Sequence, residues 1–377
     1  MLLARLGHNV LLLDRARFPR KKTCGDGLTP RAVDTLARLR LEKKVASLSF
    51  KVFGARLYAP SGTVLRAGFA NSVEPLPPRG YVIQRVYLDD LLRLEAIKAG
   101  VRFVGGAQVT DFIWQNQRVK GVRVHVDGVE KDVRTYVVVV ATGASFHLLK
   151  RLGIAPASGV DLFAVRGYWE GVKDIDDALE FHFVRSISPG YSWLFPVSQD
   201  VANIGICLYP GRKFPRILPR KMLMELLSSH PYFRKRLENA RPMGKIHGYP
   251  IRTGFPLQPV TGKGWLIVGE AAGLVNPVTG EGIDLAMESA ELAAQVIHQA
   301  MGSGNRDEEV LRLYSKKLNS RFKGMFYALR LIRPLALHPQ LQEFVLRMAT
   351  KRPGLKRRII RINLGLAPVH QILFPWF

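Results

Sequence analysis

The sequence predicts an α/β protein with a core of βαβ type, a separate antiparallel β domain and a helical C-terminal region. A buried strand, an acidic residue, a small-residue turn and a glycine pair opening a helix follow one another from Gly264 to Leu285. Short strands with alternating polar and aromatic residues between about 160 and 210 indicate an antiparallel sheet. After the glycine pair the pattern is helical to the end, interrupted by Pro334, Pro339 and Pro353.

Composition limits the class of protein. A length of 377 residues predicts two to three domains, and a hydrophobic content of 47% is ample for buried cores. The two cysteines, Cys24 and Cys207, are too few for a disulfide framework or a cysteine-rich metal site. No apolar run approaches the roughly 20 residues that a membrane span requires. We therefore expect a cytoplasmic protein without a structural metal.

The net charge of +26 is unevenly distributed, because residues 321–377 carry eleven lysines and arginines against one acid, Glu343. The stretch Lys351–Arg361 combines basic and apolar residues, which favours an anionic membrane surface as a partner, peripheral to the membrane. No nucleic-acid-binding motif accompanies the charge, so nucleic acid is not expected as a partner. A solvated positive face explains the same charge equally well.

The first residues resemble half of a βαβ unit. Met1–Leu6 and Gly7 have the pattern of a helix end, and Asn9–Leu13 forms an apolar strand that ends at Asp14. In dinucleotide-binding folds an acid at this place hydrogen-bonds the adenosine ribose. A Gly-x-Gly-x-x-Gly turn and its preceding strand are absent near residue 1, so we expect a longer parent protein in which Met1 lies inside the first helix.

Two further stretches predict strands and turns. Lys51–Phe69 alternates around a Pro-Ser-Gly turn and predicts a hairpin. Val122–Val126 and Val133–Val140 predict two strands around an Asp-Gly turn. The second of them leads directly into Ala141–Gly143, small residues that permit close approach by a ligand.

The motif at Gly264–Leu285 indicates a flavin site. Its strand delivers Glu270 to the carboxyl end, and Gly280–Ile283 are expected to present unpaired amides at a helix start. A helix N-terminus carries about half a positive charge, which favours the reduced flavin by roughly 1 kcal/mol. A plain glycine-rich loop ahead of a core helix is the alternative interpretation.

Three other segments complete a pattern that resembles the geranylgeranyl reductase family of flavoproteins. They are Lys22–Leu28 (Lys-Thr-Cys-Gly-Asp-Gly-Leu), Gln84–Leu92 and Pro189–Pro196 (Pro-Gly-Tyr-Ser-Trp-Leu-Phe-Pro), and the likeness runs to about Ala300. The resemblance implies a glutathione-reductase-like FAD-binding domain, here without its first strand, and an antiparallel substrate domain. It also implies reduction of double bonds in prenyl chains of lipids, quinones or chlorophyll precursors.

On this resemblance we divide the chain into three parts. The FAD-binding domain is expected at 1–50, 80–155 and 256–302, the substrate domain at 51–79 and 156–255, and the basic helical region at 303–377.

The resemblance also assigns roles to residues that contact the cofactor. Asp14 corresponds to the ribose ligand, Gly25 and Gly27 to backbone contacts, Arg85 to a phosphate or flavin contact, and Val109 to a main-chain adenine contact.

Nearer the reactive ring of the flavin, Glu270 takes the position facing the ribityl chain, where the family usually has Asp. The extra methylene of Glu270 is either absorbed by the loop or weakens the contact. Gly282 and Ile283 are expected to donate amides to the N1 and C2 oxygen side of the flavin.

Substrate-facing residues are predicted on one strand and one loop. Tyr191, Trp193 and Phe195 alternate, so they share a strand face and are candidates for the wall of a prenyl pocket, although such aromatics are more often simply core. Cys24 is the candidate catalytic residue, a thiol near the flavin that steers a proton, although most lone cysteines are merely buried.

The resulting hypothesis is an FAD-dependent reductase of prenyl double bonds that receives electrons from NADPH or ferredoxin. A flavin monooxygenase or halogenase on the same scaffold is the rival enzyme, and a prenyl- or membrane-binding protein without flavin is the rival from another class. The sequence does not indicate the number of subunits.

Overall fold

A computed structural model of the chain describes residues 1–70, 72–154, 161–209, 218–302, 308–363 and 366. The strands in chain order are β1 Leu11–Asp14, β2 Gly27–Leu28, β3 Phe50–Val52, β4 Gly54–Tyr58, β5 Val64–Gly68, β6 Gly80–Val82, β7 Arg102–Gly105, β8 Gln108–Gln115, β9 Arg118–Val126, β10 Val129–Arg134, β11 Val138–Val140, β12 Leu162–Glu170, β13 Ala178–His182, β14 Gly190–Pro196, β15 Val201–Leu208, β16 Arg241–Pro242, β17 His247–Ile251, β18 Thr261–Gly262 and β19 Trp265–Ile267.

The helices are α1 Leu2–Arg5, α2 Pro30–Arg38, α3 Glu42–Ala46, α4 Arg85–Lys98, α5 His147–Arg151, α6 Pro219–Ser229, α7 Pro231–Arg236, α8 Ile283–Gly302, α9 Glu308–Ala336, α10 Pro339–Lys351 and α11 Pro353–Asn363, with short 3₁₀ turns at Arg185–Ile187 and Gly269–Ala272.

Parallel strand pairs form the α/β part. β1 pairs in parallel with β7, which places Asp14 opposite Gly105, and β11 pairs in parallel with β19. Within the described ranges no hydrogen-bonded ladder joins these two pairs. α1 ends as predicted at Gly7, whose φ of +83° is the left-handed conformation that glycine adopts readily.

The antiparallel part is one large sheet. Its order is β16–β12–β15–β14–β13–β4–β5, with β17 also pairing to β12, and only β13 and β4 run parallel. The predicted hairpin is confirmed in this sheet as the β4–β5 pair, although it begins at Gly54. This sheet, the parallel pairs and the C-terminal helices confirm the predicted fold class. The proposed domain boundaries remain a prediction.

Two details of the sequence prediction are wrong. The predicted strand Val133–Val140 is two strands, because the Thr135 amide donates to the Lys120 carbonyl and the chain then leaves β9 for a partner in another sheet. Pro334 does not interrupt the helices but lies inside α9. It stands two residues before the helix end, so the hydrogen bond that its missing amide removes lies in the last turns of α9.

The C-terminal helices cover both halves of the molecule. α9 buries Tyr314, Phe322 and Phe326 in the core around β19. Leu337 and Ile360, from the end of α9 and from α11, pack on the same face of the large sheet as the aromatic residues of β14. Helices therefore close that face. Among the described helices, none has the length and apolarity needed to cross a bilayer.

Candidate active site

The segment after Lys22 lies directly against the aromatic residues of β14. A Cβ built at Gly25 would lie 3.1 Å from the Phe195 ring and 3.5 Å from the indole nitrogen of Trp193. A Cβ at Gly27 would lie 3.4 Å from the same Phe195 ring. The two glycines thus permit a close approach between this loop and the large sheet. Four sequence-predicted residues meet here: Gly25 and Gly27 of the cofactor group, and Trp193 and Phe195 of the substrate group.

A buried polar network fixes this loop. Asp26 has a φ of +67° and is fully buried. Its Oδ2 accepts hydrogen bonds from the Tyr168 hydroxyl at 2.5 Å and from the Asn203 amide at 2.8 Å. Tyr168 and Asn203 are cross-strand neighbours on β12 and β15. Burial raises the pKa of Asp26, and the bonds from Tyr168 and Asn203 oppose this rise.

Asn203 extends the network in two directions. Its amide nitrogen also donates to the Cys24 carbonyl oxygen at 2.8 Å, and its Oδ1 accepts the indole N–H of Trp193 at 3.1 Å. Trp193 lies over Gly205, where any Cβ would overlap the indole ring. The backbone at Cys24 and the indole of Trp193 are therefore held by the same amide side chain.

Charged groups surround Cys24 on its other side. Arg85, whose side chain is 14% exposed, pairs with Asp89 at 2.7 Å within α4. Burial lowers the pKa of Arg85, but the neighbouring Cys24 and Asp89 outweigh burial and raise it overall. The guanidinium stays charged at any physiological pH. Arg85 and Cys24, which the sequence assigned to the cofactor and to catalysis, are thus direct neighbours.

Lys22 and Glu270 form the next pair of this cluster. Burial and the nearby Arg85 lower the pKa of Lys22, while Glu270 partly restores it. Burial raises the pKa of Glu270, opposed by Lys22. The Oε1 of Glu270 is buried and has no hydrogen-bond partner in the described part of the chain. A Cβ built at Gly143 would lie 3.4 Å from the Glu270 Oε2, so the glycine leaves room beside the carboxylate.

The loop before α8 corrects one sequence expectation. The Gly280 amide is not unpaired, because it donates to the Asn276 carbonyl at 2.9 Å, and the Glu281 amide reaches the Thr279 hydroxyl at 3.4 Å. The amides of Gly282 and Ile283 have no acceptor among the described residues. The amides of Gly280 and Glu281 are thus bound within the loop, by Asn276 and Thr279. The free amides at the start of α8 therefore begin at Gly282.

Two carboxyl groups stand beside these free amides. Burial raises the pKa of Glu281, and repulsion from the neighbouring Asp284 carboxylate raises it further. Burial also raises the pKa of Asp284, opposed by Arg31. Arg31, 3.9 Å from the Asp284 carboxylate, offsets part of the negative charge at the start of α8.

The predicted adenosine side of the site is more open. Asp14 ends β1, accepts the Ala16 amide at 2.9 Å and pairs with Arg20 at 3.4 Å. Arg20 in turn pairs with Asp89 at 2.9 Å, which links Asp14 to the cluster around Arg85. Val109 lies on β8 opposite Val124 and does not join this cluster.

These residues fit a bound FAD. The hydroxyl groups of a ribityl chain would supply the donors that the buried Oε1 of Glu270 lacks. The free amides of Gly282 and Ile283 suit the oxygen-rich edge of a flavin, and Arg85 with Lys22 supplies positive charge for phosphate. Fold and site together define an FAD-dependent oxidoreductase.

The comparisons with known proteins identify the family. Residues 1–175 match the FAD binding domain model, and residues 163–244 match the geranylgeranyl reductase catalytic domain model. A menaquinone reductase of Mycobacterium tuberculosis is 32% identical over 356 residues, which cover 89% of this chain and 80% of the relative. The chain belongs to the geranylgeranyl reductase family of FAD-dependent oxidoreductases.

Other similar proteins fall into two groups. A digeranylgeranylglycerophospholipid reductase of Methanothrix thermoacetophila is 28% identical over 92% of this chain and 83% of its own. A solved geranylgeranyl bacteriochlorophyll reductase-like protein of Thermoplasma acidophilum has a TM-score of 0.80 and 22% identity, covering 96% of this chain and 94% of its own. A flavin-dependent brominase reaches 0.78 with 22% identity, covering 96% of this chain and 88% of its own. The two solved structures show the fold alone.

Sequence reasoning missed several residues of the site. The sequence assigns no role to Lys22 and Asp26, which lie in the Lys22–Leu28 segment, or to Asn203. Asn203 is a polar residue in an otherwise apolar strand, Val201–Leu208, and such a buried amide usually has a specific partner. That pattern was the available signal. Tyr168 gave no comparable signal, because its contact with Asp26 depends on the approach of two distant segments.

Proposed function

We propose that this protein reduces carbon–carbon double bonds in the geranylgeranyl or related prenyl chain of an isoprenoid lipid or quinone. One observation carries the proposal: β14 connects the two segments assigned to the flavin. Its Trp193 and Phe195 lie against the Cys24–Gly27 loop, and its Tyr191 lies against Gly280. A hydrocarbon chain packed on this strand face would therefore run beside the flavin.

The relatives support the same class of substrate. The substrates in their names, a menaquinone and a digeranylgeranylglycerophospholipid, both carry prenyl chains. The apolar neighbours of the three aromatic residues, among them Phe181, Leu57 and Val73, offer a surface with little capacity to bind a polar substrate. A chlorophyll precursor carries the same kind of chain and fits the same surface.

Reduced FAD, when bound, supplies a hydride to one carbon of the double bond. The protein's own residues do the remaining work. The free amides of Gly282 and Ile283 orient the flavin, and the positive charges of Lys22 and Arg85 hold its phosphates. Cys24, next to Arg85, is placed to steer a proton to the second carbon. The buried aromatic rings exclude water from the alkene.

The electrons for each cycle come, in this proposal, from NADPH or ferredoxin. Both are compatible with a flavin reductase, and stopped-flow reduction of the bound FAD by each donor distinguishes them. The faster donor at equal concentration is the physiological class.

We also place an anionic membrane surface on the C-terminal helices. Tyr327 and Leu331 are 49% and 75% exposed on α9, and Phe344 is 60% exposed on α10. Lys323 lies over the Tyr327 ring, and Arg347 is exposed one turn after Phe344. Exposed apolar rings flanked by basic side chains suit the interface of an anionic bilayer. Such contact would bring a lipid substrate to the helices that cover the aromatic face.

The proposal is tested with the FAD-loaded protein, a reductant and menaquinone or a digeranylgeranyl lipid, followed by mass spectrometry of the product. We expect a gain of two hydrogens for each reduced bond, without a requirement for oxygen. Oxygen-dependent hydroxylation or halogenation would instead establish the rival enzyme. A protein that takes up no FAD but retains the lipid would establish the non-catalytic alternative.

A further inference from the structure

Two tyrosines of the large sheet hold the loop that leads into α8. The Tyr191 hydroxyl donates to the Thr279 carbonyl, and the Tyr209 hydroxyl donates to the adjacent Val278 carbonyl. Both rings are almost fully buried, at 8% and 6% exposed. Tyr191 lies on β14 and Tyr209 directly follows β15, so neighbouring strands contribute one contact each.

The loop itself is a closed hydrogen-bonded unit. The Asn276 side-chain oxygen accepts the amides of Val278 at 2.9 Å and Thr279 at 3.2 Å. The Asn276 backbone carbonyl accepts a hydrogen bond from the Gly280 amide at 2.9 Å. The Asn276 backbone amide donates to the Glu281 carbonyl at 2.7 Å. Because the unit satisfies its own amides, its carbonyls at 278 and 279 remain for the tyrosines. Its position on the sheet is therefore fixed by these two contacts.

Packing around Gly280 leaves little freedom between loop and sheet. Gly280 has a φ of +72°, and a Cβ built there would lie 3.6 Å from the Tyr191 hydroxyl and 3.7 Å from the Cys207 sulfur. Tyr191 and Cys207 are opposite each other in the β14–β15 pair. On the far side, the Arg333 guanidinium of α9 lies 5.1 Å from the centre of the Tyr209 ring.

The Tyr191 ring also belongs to the aromatic cluster of the proposed prenyl pocket. Its centroid lies 5.8 Å from that of Phe181, 6.2 Å from that of Trp193 and 6.4 Å from that of Phe183. A hydrocarbon chain that packs among these rings would contact the same side chain whose hydroxyl holds the Thr279 carbonyl. The ring of Tyr191 thus faces the proposed prenyl pocket, while its hydroxyl contacts the loop that leads into α8.

We propose that Tyr191 and Tyr209 are positioning residues that set the amides of Gly282 and Ile283 against the flavin, and that Tyr191 transmits occupancy of the prenyl pocket to the flavin. This inference rests on the proposed function, which places FAD at the start of α8. It predicts that a bound prenyl chain changes the reduction potential of the flavin through Tyr191, whereas Tyr209 acts only on flavin position.

The test uses the full chain with FAD and compares Tyr191→Phe and Tyr209→Phe with wild type. Tyr58→Phe is the matched control, because it removes a partly buried hydroxyl of the same sheet that contacts Tyr232 at 3.2 Å rather than the loop. Two quantities are measured: the Kd for FAD, by titration of the FAD-free protein, and the reduction potential with and without geranylgeraniol.

We expect each loop variant to raise the Kd for FAD about fivefold, the usual effect of one hydrogen bond. Geranylgeraniol should shift the potential of wild type, Tyr209→Phe and Tyr58→Phe, but not that of Tyr191→Phe. If the FAD-free tyrosine variants are unfolded by circular dichroism, Gly280→Ala, which strains the same loop at a φ of +72° while both tyrosine hydroxyls remain, should still raise the Kd for FAD.

Three results overturn the inference. In the first, Tyr191→Phe and Tyr209→Phe bind FAD as tightly as the control. In the second, Tyr191→Phe keeps the geranylgeraniol-induced shift, and in the third, wild type shows no shift. Failure of the proposed function gives a different result, because wild type would then either take up no FAD or bind FAD without reducing the double bonds of a prenyl substrate.

Discussion

The side-chain amide of Asn203 donates to the Asp26 carboxylate and to the Cys24 carbonyl, each at 2.8 Å. These bonds join the centre of the large antiparallel sheet to the loop that carries the candidate catalytic thiol. Asn203 and Asp26 are both fully buried, so no water replaces a lost bond without rearrangement. The loop before α2 is therefore positioned by the substrate sheet as well as by its own backbone.

Replacement of Asn203 by Leu should destabilise the protein by about 2–3 kcal/mol, because it leaves a buried carboxylate with one donor fewer. Chemical denaturation of the FAD-free protein measures this loss. Asn319→Leu is the control, since the Asn319 amide donates to the Ser315 hydroxyl one turn away on α9. Equal stability of the two variants would contradict a structural role for Asn203.

Gly282→Ala should lower both stability and FAD affinity. A Cβ at this position would lie 2.8 Å from a Val275 methyl and 3.2 Å from the Leu274 carbonyl, and such overpacking costs about 1–3 kcal/mol. Gly302→Ala, at the far end of α8 with nothing within 4 Å of its Cβ, should be neutral or slightly stabilising. Thermal unfolding and FAD titration give the two values. A stable, FAD-binding Gly282→Ala would remove this residue from the site.

Glu270→Gln should weaken FAD binding about tenfold or more, because the neutral amide loses charge-assisted bonds from the ribityl hydroxyls. Glu270→Asp should bind more tightly than Glu270→Gln, since it keeps the charge with a shorter reach. Isothermal titration of FAD into the FAD-free proteins measures both. Glu343→Gln, which alters an exposed carboxylate of α10, is the control. Equal affinities for all three variants would exclude Glu270 as a cofactor ligand.

The exposed apolar residues of α9 and α10 should support binding to anionic vesicles. We expect the Leu331→Ser, Phe344→Ser double variant to lose most of its sedimentation with phosphatidylglycerol vesicles, in proportion to the apolar area removed. Leu218→Ser is the control, because Leu218 is 74% exposed at the start of α6 instead. Raising the salt concentration should also weaken binding by wild type. Unchanged sedimentation of the double variant would refute this surface.

Acid should destabilise the protein through the buried pair Glu180 and His182. Burial lowers the pKa of His182 below 6.5, while Glu180 opposes this effect. Because the folded state then binds fewer protons than the unfolded state, stability should fall as pH drops below about 6.5. Burial raises the pKa of Glu180, but bonds from His182 and Arg236 lower it overall, which adds a loss of the same sign at lower pH.

The measurement for this pH effect is the thermal midpoint from pH 8 to pH 5. His182→Gln should flatten the upper part of the profile, whereas exposed His125→Gln should follow wild type. The same pair is faced by three partly buried residues, Tyr58, Tyr232 and His230. The lowered pKa of His230 acts in the same direction. A parallel profile for His182→Gln would assign the acid sensitivity elsewhere.

Elements with strong local patterns were predictable from the sequence. The glycine at the end of α1, the β4–β5 hairpin and the run of C-terminal helices each follow from turn residues or periodicity. The continuation of α9 through Pro334 was not predictable, because local propensity makes proline a helix breaker while the tertiary packing of α9 overrides it. The division of Val133–Val140 between two sheets also had no local signal, since it depends on tertiary partners.

The candidate site shows the same limit. Motifs located Arg85, Glu270 and the aromatic strand, but not how these groups contact one another. Asn203 contacts Asp26, Cys24 and Trp193 at once. Asp26 lies 177 positions and Cys24 lies 179 positions away from Asn203 in the chain. Such pairings arise from the fold as a whole, so one sequence predicts the residue types in a site better than their hydrogen-bond partners.

The register of β14 has a consequence for engineering. Tyr191, Trp193 and Phe195 pack on one side of the sheet, while Leu194 packs on the other and Ser192 bonds the Gly205 carbonyl. Inserting or deleting one residue in this strand would exchange the two sets and place small or aliphatic groups beside the glycine loop. Pocket redesign should therefore proceed by substitution at alternate positions, with strand length held constant.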